Sequence, residues 1–142
     1  MNVVYRAHAQ ASGGGREGHT ETDDKKVAFD LSIPKAMGGD DGPGTNPEQL
    51  FAAGYAACYL SALNFVARRD KIALSKDTKI ASTVGIGPND VGEGFKLDID
   101  LVLSGTGLNM DDANALAEAA HRVCPYSNAT RGNVDVRLSV EP

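Results

Sequence analysis

Basic charge, cysteine and signal-like segments are all scarce in this sequence. Its 142 residues carry 14 Lys and Arg against 19 Asp and Glu, which gives a formal net charge of −5. Since no basic stripe is present, a nucleic-acid partner is not expected. No segment typical of a signal peptide precedes the first alternating residues, so we expect a cytoplasmic protein with reduced thiols. The length suits a single domain over residues 1–142.

Charge is missing altogether from residues 50–66. This run is too short, and too rich in Ala, Gly, Tyr, Ser and Asn, to be a convincing membrane span, and a helix that is apolar all round is typical of a protein core. Asn46 can cap free N–H groups, Pro47 suits the first helical position, and Gln49 occupies a capping-box position. We therefore predict a central core helix over 47–69 and no membrane partner.

Alternating apolar and polar residues predict five strands, over 2–11, 26–33, 79–86, 95–104 and 134–140. Asn109 can cap a second helix, whose buried stripe consists of Ala113, Leu116, Ala117, Ala120 and Cys124. Pro125 disfavours a helical conformation for Cys124, which is therefore expected at the helix end, before a loop over 126–133. This order of strands and helices predicts an α+β fold with mainly antiparallel sheets.

The sequence contains two cysteines, Cys58 and Cys124. Buried thiols are most often simple core residues. Zinc is weakly supported, because His121 could share a turn with Cys124 but a structural site needs four ligands. A redox pair is the third possibility. It requires a group that keeps one sulfur ionised, since an ordinary thiol has a pKa of about 8.5.

Arg16 is the candidate for that group. It follows three consecutive glycines at 13–15, which give its loop unusual backbone freedom. By composition alone it is a solvated surface arginine. However, Cys58 lies too far inside its helix for the helix N-terminus to act on it, and burial would raise its pKa. A buried guanidinium stays charged and needs a carboxylate, and Glu48 is the acidic residue in the first turn of the central helix.

Helix geometry separates Glu48 from Cys58. The two residues are ten positions apart, which is about 15 Å along the axis and nearly a quarter-turn around it. Either Arg16 bridges them at full stretch, or Glu48 arrives from a second subunit. We therefore predict an intertwined homodimer in which the central helices of two chains pack through small residues, namely Ala52, Ala53, Gly54, Ala56 and Ala57.

Four segments are specific enough to compare with known families: GGREG at 14–18, GTNPEQLFAAGYAAC at 44–58, TVGIG at 83–87 and VCPYSNATRGN at 123–133. At these residues the chain closely resembles the organic hydroperoxide resistance proteins (Ohr), the thiol-peroxidase branch of the osmotically inducible protein C (OsmC) superfamily. One departure is Glu17, where the family typically has Asp. The resemblance implies an α+β fold in which sheets wrap around two central helices in an interlocked homodimer.

The same resemblance implies a role for each site residue. Cys58 resembles the peroxidatic thiol and Cys124 the resolving thiol, while Arg16 resembles the activating cation and Glu48 its carboxylate partner. The implied activity is that of a cysteine-based peroxidase, in which Cys58 becomes a sulfenic acid and then forms a disulfide with Cys124. A dihydrolipoyl group, free or on a lipoylated protein, is the implied reductant. No metal and no bound cofactor are expected.

An apolar lining for the substrate is expected from four aromatic residues: Phe51, Tyr55, Tyr59 and Tyr126. Such a lining favours fatty or aryl hydroperoxides over hydrogen peroxide, although ordinary core packing explains the same aromatics. Two alternatives stay open. One is the osmotic-stress branch of the superfamily, with broader peroxide use, and the other is a non-catalytic module that binds an apolar ligand in the same cavity.

Overall fold

A computed structural model describes all 142 residues, which form two compact units, Met1–Leu50 and Phe51–Pro142. The first unit contains an antiparallel meander of three strands: β1 (Ala9–Ser12), β2 (His19–Thr22) and β3 (Ala28–Asp30). A single 3-10 turn follows at Lys35–Met37. Leu31 then pairs in parallel with Thr45, just before the first helix.

The meander is shorter than the sequence predicts. The strand predicted over 2–11 is wrong for its first part, since Val4 and Tyr5 are exposed and lie outside any strand. Its partner β2 is only four residues long, so earlier residues have no ladder to join. The strand predicted over 26–33 is likewise reduced to Ala28–Asp30. The middle strand was not predicted, because its sequence, HTET, has no apolar alternation.

Helix α1 extends over Pro47–Arg69, as predicted. Asn46 caps it, because Asn46 Oδ1 accepts a hydrogen bond from the Gln49 N–H at 2.9 Å. The Gln49 side chain does not close a capping box, since its Oε1 accepts from the Thr45 hydroxyl at 2.8 Å instead. The boundary between the two units falls after Leu50, near the start of this helix.

The remainder of α1 belongs to the second unit, together with a second sheet and two further helices. These elements are β4 (Lys79–Pro88), β5 (Phe95–Ser104), α2 (Met110–Val123), α3 (Pro125–Thr130) and β6 (Val136–Val140). β4 and β5 pair antiparallel from Lys79↔Ser104 to Pro88↔Phe95, and β6 joins the other edge of β5 in parallel. The predicted α+β class with mainly antiparallel sheets is confirmed.

Helix α3 replaces part of the loop predicted over 126–133. Pro125 occupies the first helical position, where a missing N–H is tolerated, and Cys124 before it has extended backbone (φ −64°, ψ 124°). The proline therefore ends α2 at Cys124, as predicted, but it also starts a new helix. At the other end of α2, Asn109 Oδ1 accepts from the Asp112 N–H at 2.8 Å, which confirms the predicted cap.

The core of the second unit combines one face of α1, the inner face of β5 and the apolar stripe of α2. Its most buried side chains include Tyr55, Tyr59, Leu63, Val66, Ile99, Leu101, Leu103, Leu116, Ala117, Ala120 and Cys124. Alternate residues of β5 are buried, as its sequence pattern predicts. Tyr59 donates its phenolic proton to the Ala117 carbonyl at 2.6 Å, which ties α1 to α2.

Helix α1, with 23 residues, is long and apolar enough to cross a membrane. A core helix meets the same criterion, and the inward face of α1 lies in the core of the second unit. In the single chain one face of α1 is left uncovered, since Ala53, Ala57, Ser61 and Phe65 are exposed. An exposed apolar helix face of this kind is a candidate contact surface.

Candidate active site

Arg16 is held at the end of a tight glycine loop. The glycines at 13–15 have φ angles of 73°, 91° and 71°, a region that other residues rarely adopt. The Gly18 N–H donates to the Gly15 carbonyl at 3.1 Å, and a Cβ at Gly18 would lie 1.8 Å from the Ser12 carbonyl oxygen. The backbone freedom predicted from the glycines is therefore required to close this loop around Arg16.

The Arg16 guanidinium forms a two-pronged ion pair with Glu48. Nη2 lies 2.6 Å from Oε1 and Nη1 lies 2.8 Å from Oε2, with side-chain exposures of 32% for Arg16 and 12% for Glu48. Parallel bonds of this kind use the rigid donor fork of arginine. They hold the pKa of Glu48 below its usual value and raise the pKa of Arg16. Arg16 is thus not a freely solvated arginine, and Glu48 is its carboxylate partner.

Cys58 of α1 and Cys124 lie side by side in the second unit. Their sulfurs are 3.8 Å apart and both are free thiols, of which Cys58 is partly exposed and Cys124 fully buried. A disulfide requires a sulfur–sulfur separation of about 2.05 Å, so the two atoms need to approach each other by less than about 2 Å. This geometry allows the two cysteines to be joined by a small local movement.

Burial is the main influence on the Cys58 thiol, and it raises the pKa of that group. A hydrogen bond from the Tyr126 backbone N–H favours the thiolate, whereas the neighbouring Cys124 opposes it. These influences all arise within residues 51–142. A cation close to the sulfur would lower this pKa.

An apolar cleft of about 380 Å³ opens beside Cys58. Its other walls come from α1 and from the two neighbours of Cys124: Ser61, Ala62, Phe65, Val123 and Pro125. The sequence analysis did not predict these residues. A signal was available, because the α1 members follow Cys58 by three, four and seven positions and so share its helix face. Walls of this composition suit an apolar ligand.

Phe51, Tyr55 and Tyr126 form an aromatic cluster with ring centroids 5.7–6.1 Å apart. Gly54 permits this packing, since a Cβ there would lie 3.2 Å from the Tyr126 hydroxyl oxygen. Tyr55 and Tyr59 are 0% exposed, so in this chain they are core residues with no surface open to a substrate. Tyr126 is 40% exposed and Phe51 is partly buried, and their assignment to substrate binding stays a prediction.

The structure thus assembles the predicted site residues as two pairs. Arg16 and Glu48 form the charged pair within Met1–Leu50, and Cys58 and Cys124 form the thiol pair within Phe51–Pro142. His121, considered above as a zinc ligand, instead lies with its Nδ1 2.8 Å from the Ser127 hydroxyl oxygen.

These features define a class of α+β proteins in which two neighbouring free thiols lie beside an apolar cleft. The family model described as OsmC-like protein matches residues 38–139, and this chain belongs to that family.

Similar proteins cover nearly the whole chain. An organic hydroperoxide resistance protein of Xanthomonas axonopodis pv. citri is 49% identical over 138 residues, which is 97% of this chain and 95% of the relative. The organic hydroperoxide resistance protein OhrB of Bacillus subtilis is 45% identical, with 90% and 92% covered. A crystal structure of an organic hydroperoxide resistance protein OsmC from Legionella pneumophila matches with a TM-score of 0.92 and 50% identity, covering 99% of this chain and 100% of that one. The predicted family resemblance is confirmed.

Proposed function

We propose that this chain is a cysteine-based peroxidase that reduces organic hydroperoxides to alcohols. The observation that carries the proposal is the 3.8 Å separation of the Cys58 and Cys124 sulfurs next to an apolar cleft. The names of the relatives from Xanthomonas and Bacillus support a role in peroxide detoxification. The apolar cleft supports fatty or aryl hydroperoxides as substrates in preference to hydrogen peroxide.

In the proposed first step, the Cys58 thiolate attacks the terminal oxygen of the hydroperoxide. The S–O bond forms as the O–O bond breaks, the leaving alkoxide takes up a proton and departs as the alcohol, and Cys58 is left as a sulfenic acid. Arg16 favours the thiolate and stabilises the charge that develops on the leaving oxygen. Glu48 orients the guanidinium through its two hydrogen bonds.

In the second step, the Cys124 thiol condenses with the sulfenic acid to give a disulfide and water. A dithiol then reduces the disulfide by two successive exchange reactions. We propose a dihydrolipoyl group, free or carried by a lipoylated protein, as this reductant, because its slim hydrocarbon arm suits the apolar cleft beside Cys58. The cycle needs no bound cofactor.

The active form in this proposal is a homodimer in the cytoplasm. The exposed face of α1, with Ala53, Ala57 and Phe65, is short of charge and offers small side chains for close helix packing. Packing two copies through this face would cover apolar surface that the single chain leaves exposed. Sedimentation at micromolar concentration tests this, and a fully active monomer would contradict it.

Intact mass after one equivalent of cumene hydroperoxide is the direct test of the chemistry. Wild-type protein should lose the mass of two hydrogens, whereas Cys124→Ser should gain one oxygen or its further oxidation products. Unchanged masses, with cumene hydroperoxide left intact, would instead favour a ligand-binding module. Steady-state rates with cumene hydroperoxide and hydrogen peroxide then test the preference for organic substrates over the broader use typical of the osmotic-stress branch.

A further inference from the structure

Three helices of the second unit meet at one buried hydroxyl. Ser127 on α3 is 0% exposed, and its Oγ lies 2.8 Å from the Tyr55 hydroxyl oxygen of α1 and 2.8 Å from Nδ1 of His121 on α2. The Tyr55 hydroxyl is also 3.3 Å from Thr130 Oγ1. Buried polar groups need partners, and here each finds one in a network that the chemistry proposed above does not use.

His121 and Ser127 lie on opposite sides of Cys124, each three residues away along the chain. Cys124 caps the end of α2 and the start of α3 at once, so it is the vertex of the corner between them. The His121–Ser127 contact therefore spans this corner. A second bond spans it as well, since Arg131 Nη2 donates to the His121 carbonyl at 2.5 Å.

The charge of His121 determines how many protons its ring brings to this network. Burial lowers the pKa of His121, and the nearby positive charge of Arg131 lowers it further, against a weaker opposite effect of Glu118. The ring is therefore neutral at pH 7 and carries a single N–H, so Nδ1 accepts from the Ser127 hydroxyl when that proton is on Nε2 and donates to it when the proton is on Nδ1. In either tautomer the Ser127 hydroxyl links His121 to the Tyr55 hydroxyl. The network therefore closes the corner without an ionised group.

We propose that Ser127, held by Tyr55 and His121, is a positioning residue for Cys124 in disulfide formation. This inference rests on the proposed peroxidase function. In the step concerned, the Cys124 sulfur attacks the sulfenic sulfur of Cys58, the S–S bond forms as the S–O bond breaks, and the hydroxyl leaves with the thiol proton as water. Ser127 touches no reacting atom in this step and acts only through the position of Cys124.

The geometry explains why the second step depends on this network more strongly than the first. The sulfurs start 3.8 Å apart, and Cys124 is fixed at the vertex of a corner that the network closes. Misplacement of a reacting group by 1 Å can slow a reaction by about 100-fold. Attack of Cys58 on the peroxide does not use the Cys124 sulfur. It depends on the corner only through the Tyr126 backbone N–H that hydrogen-bonds Cys58, so its rate should change far less than the rate of disulfide formation.

The test follows both steps in time after one equivalent of cumene hydroperoxide, with dimedone to trap sulfenic acid and intact mass to count adduct and disulfide. Ser127→Ala should form sulfenic acid at close to the wild-type rate but form disulfide about tenfold or more slowly, so that the dimedone adduct predominates. Ser127→Thr, which keeps the hydroxyl, should recover at least part of the disulfide rate. His121→Phe removes the hydrogen-bond partner of Ser127 on the other side of the corner. It should behave like Ser127→Ala, which keeps the test open if Ser127→Ala does not fold.

Two matched controls separate positioning from loss of stability. Asn109→Ala removes the cap at the far end of α2, and Ser82→Ala removes a buried hydroxyl that has no hydrogen-bond partner. Both variants should give the same ratio of dimedone adduct to disulfide as the wild type. If Ser127→Ala and His121→Phe also give the wild-type ratio, the positioning role is overturned. It is overturned equally if these variants slow sulfenic acid formation and disulfide formation by the same factor. If the wild type itself gives neither sulfenic acid nor disulfide, the peroxidase function fails and the inference falls with it.

Discussion

The two pairs of predicted site residues are held in place by opposite means. In Met1–Leu50, the Arg16–Glu48 pair depends on backbone conformations that glycines make possible and on a two-pronged hydrogen bond near the surface. In Phe51–Pro142, the Cys58–Cys124 pair depends on the packing of helices and a sheet around an apolar core. The comparison indicates that the position of the Arg16 guanidinium is determined by a local loop. The distance between the Cys58 and Cys124 sulfurs is determined by the whole core of their unit.

This contrast has a testable consequence for mutations. Changes in the charged pair should lower activity with little effect on stability, because partly exposed ion pairs contribute little to folding. Changes in the core around the thiols should lower stability first. The contrast would be wrong if changes in the charged pair mainly lowered stability, or if changes in the core mainly lowered activity.

The largest effect is expected for Cys58→Ser. A serine hydroxyl has no accessible anion at neutral pH and cannot form the sulfenic acid, so peroxide consumption should fall to the uncatalysed rate. The measurement is hydroperoxide loss under steady-state conditions with a dithiol reductant, with Ser82→Ala as the matched control. Residual turnover in Cys58→Ser would show that the thiol pair is not the reactive centre.

Arg16→Lys is expected to lower kcat/KM by about 100- to 1,000-fold, the range seen when a single stabilising donor is lost. Lysine keeps the positive charge but lacks the planar fork that grips both oxygens of Glu48. Glu48→Gln should act in the same direction by loosening the guanidinium. Thermal unfolding is the companion measurement. A large fall in the midpoint, rather than in kcat/KM, would mean that the pair is structural.

The pH–rate profile tests whether Arg16 acts on the ionisation of Cys58. If Arg16 favours the Cys58 thiolate, then Arg16→Ala should move the inflection for thiol ionisation to higher pH, because burial alone raises the pKa of this thiol. Glu48 has a lowered pKa, so its pairing is complete above the usual carboxyl range and is lost only as pH falls through that lowered value. Glu48 should therefore stay ionised from pH 5 to 8. An unshifted inflection in Arg16→Ala would argue that Arg16 does not act on the sulfur.

In the core of the second unit, Leu63→Ala should destabilise the protein by about 2–5 kcal/mol, since it removes fully buried hydrocarbon and leaves a cavity. Val4→Ala is the matched control in the first unit. Val4 is 93% exposed, so its change should stay within about 0.5 kcal/mol. Chemical denaturation with both variants gives the two free energies of unfolding, and similar values would contradict the contrast between the units.

Local signals were enough to predict much of this molecule. The cap at Asn46, the full length of α1 and the α2 stripe that ends at Cys124 all follow from residue spacing and capping chemistry. What the sequence did not reveal depends on partners elsewhere in the chain. The strand HTET forms because β1 and β3 lie on either side of it, and the cleft beside Cys58 exists because distant segments meet there.

The smallest effect is expected at the α2 cap. Asn109→Ala removes the side-chain acceptor for the Asp112 N–H, which should lower stability by about 1 kcal/mol. Asn109→Ser keeps an acceptor at the same position and should recover most of that loss. Because Cys124 lies at the other end of α2, the variant also tests whether loss of the cap changes the position of Cys124. Denaturant midpoints with an unchanged slope, together with wild-type peroxide turnover, would show that the cap supports folding only. Lost turnover at full stability would instead show that the sulfur spacing depends on the whole of α2. The thiol pair would then depend on its entire unit, in contrast to the Arg16–Glu48 pair, which depends on a local loop.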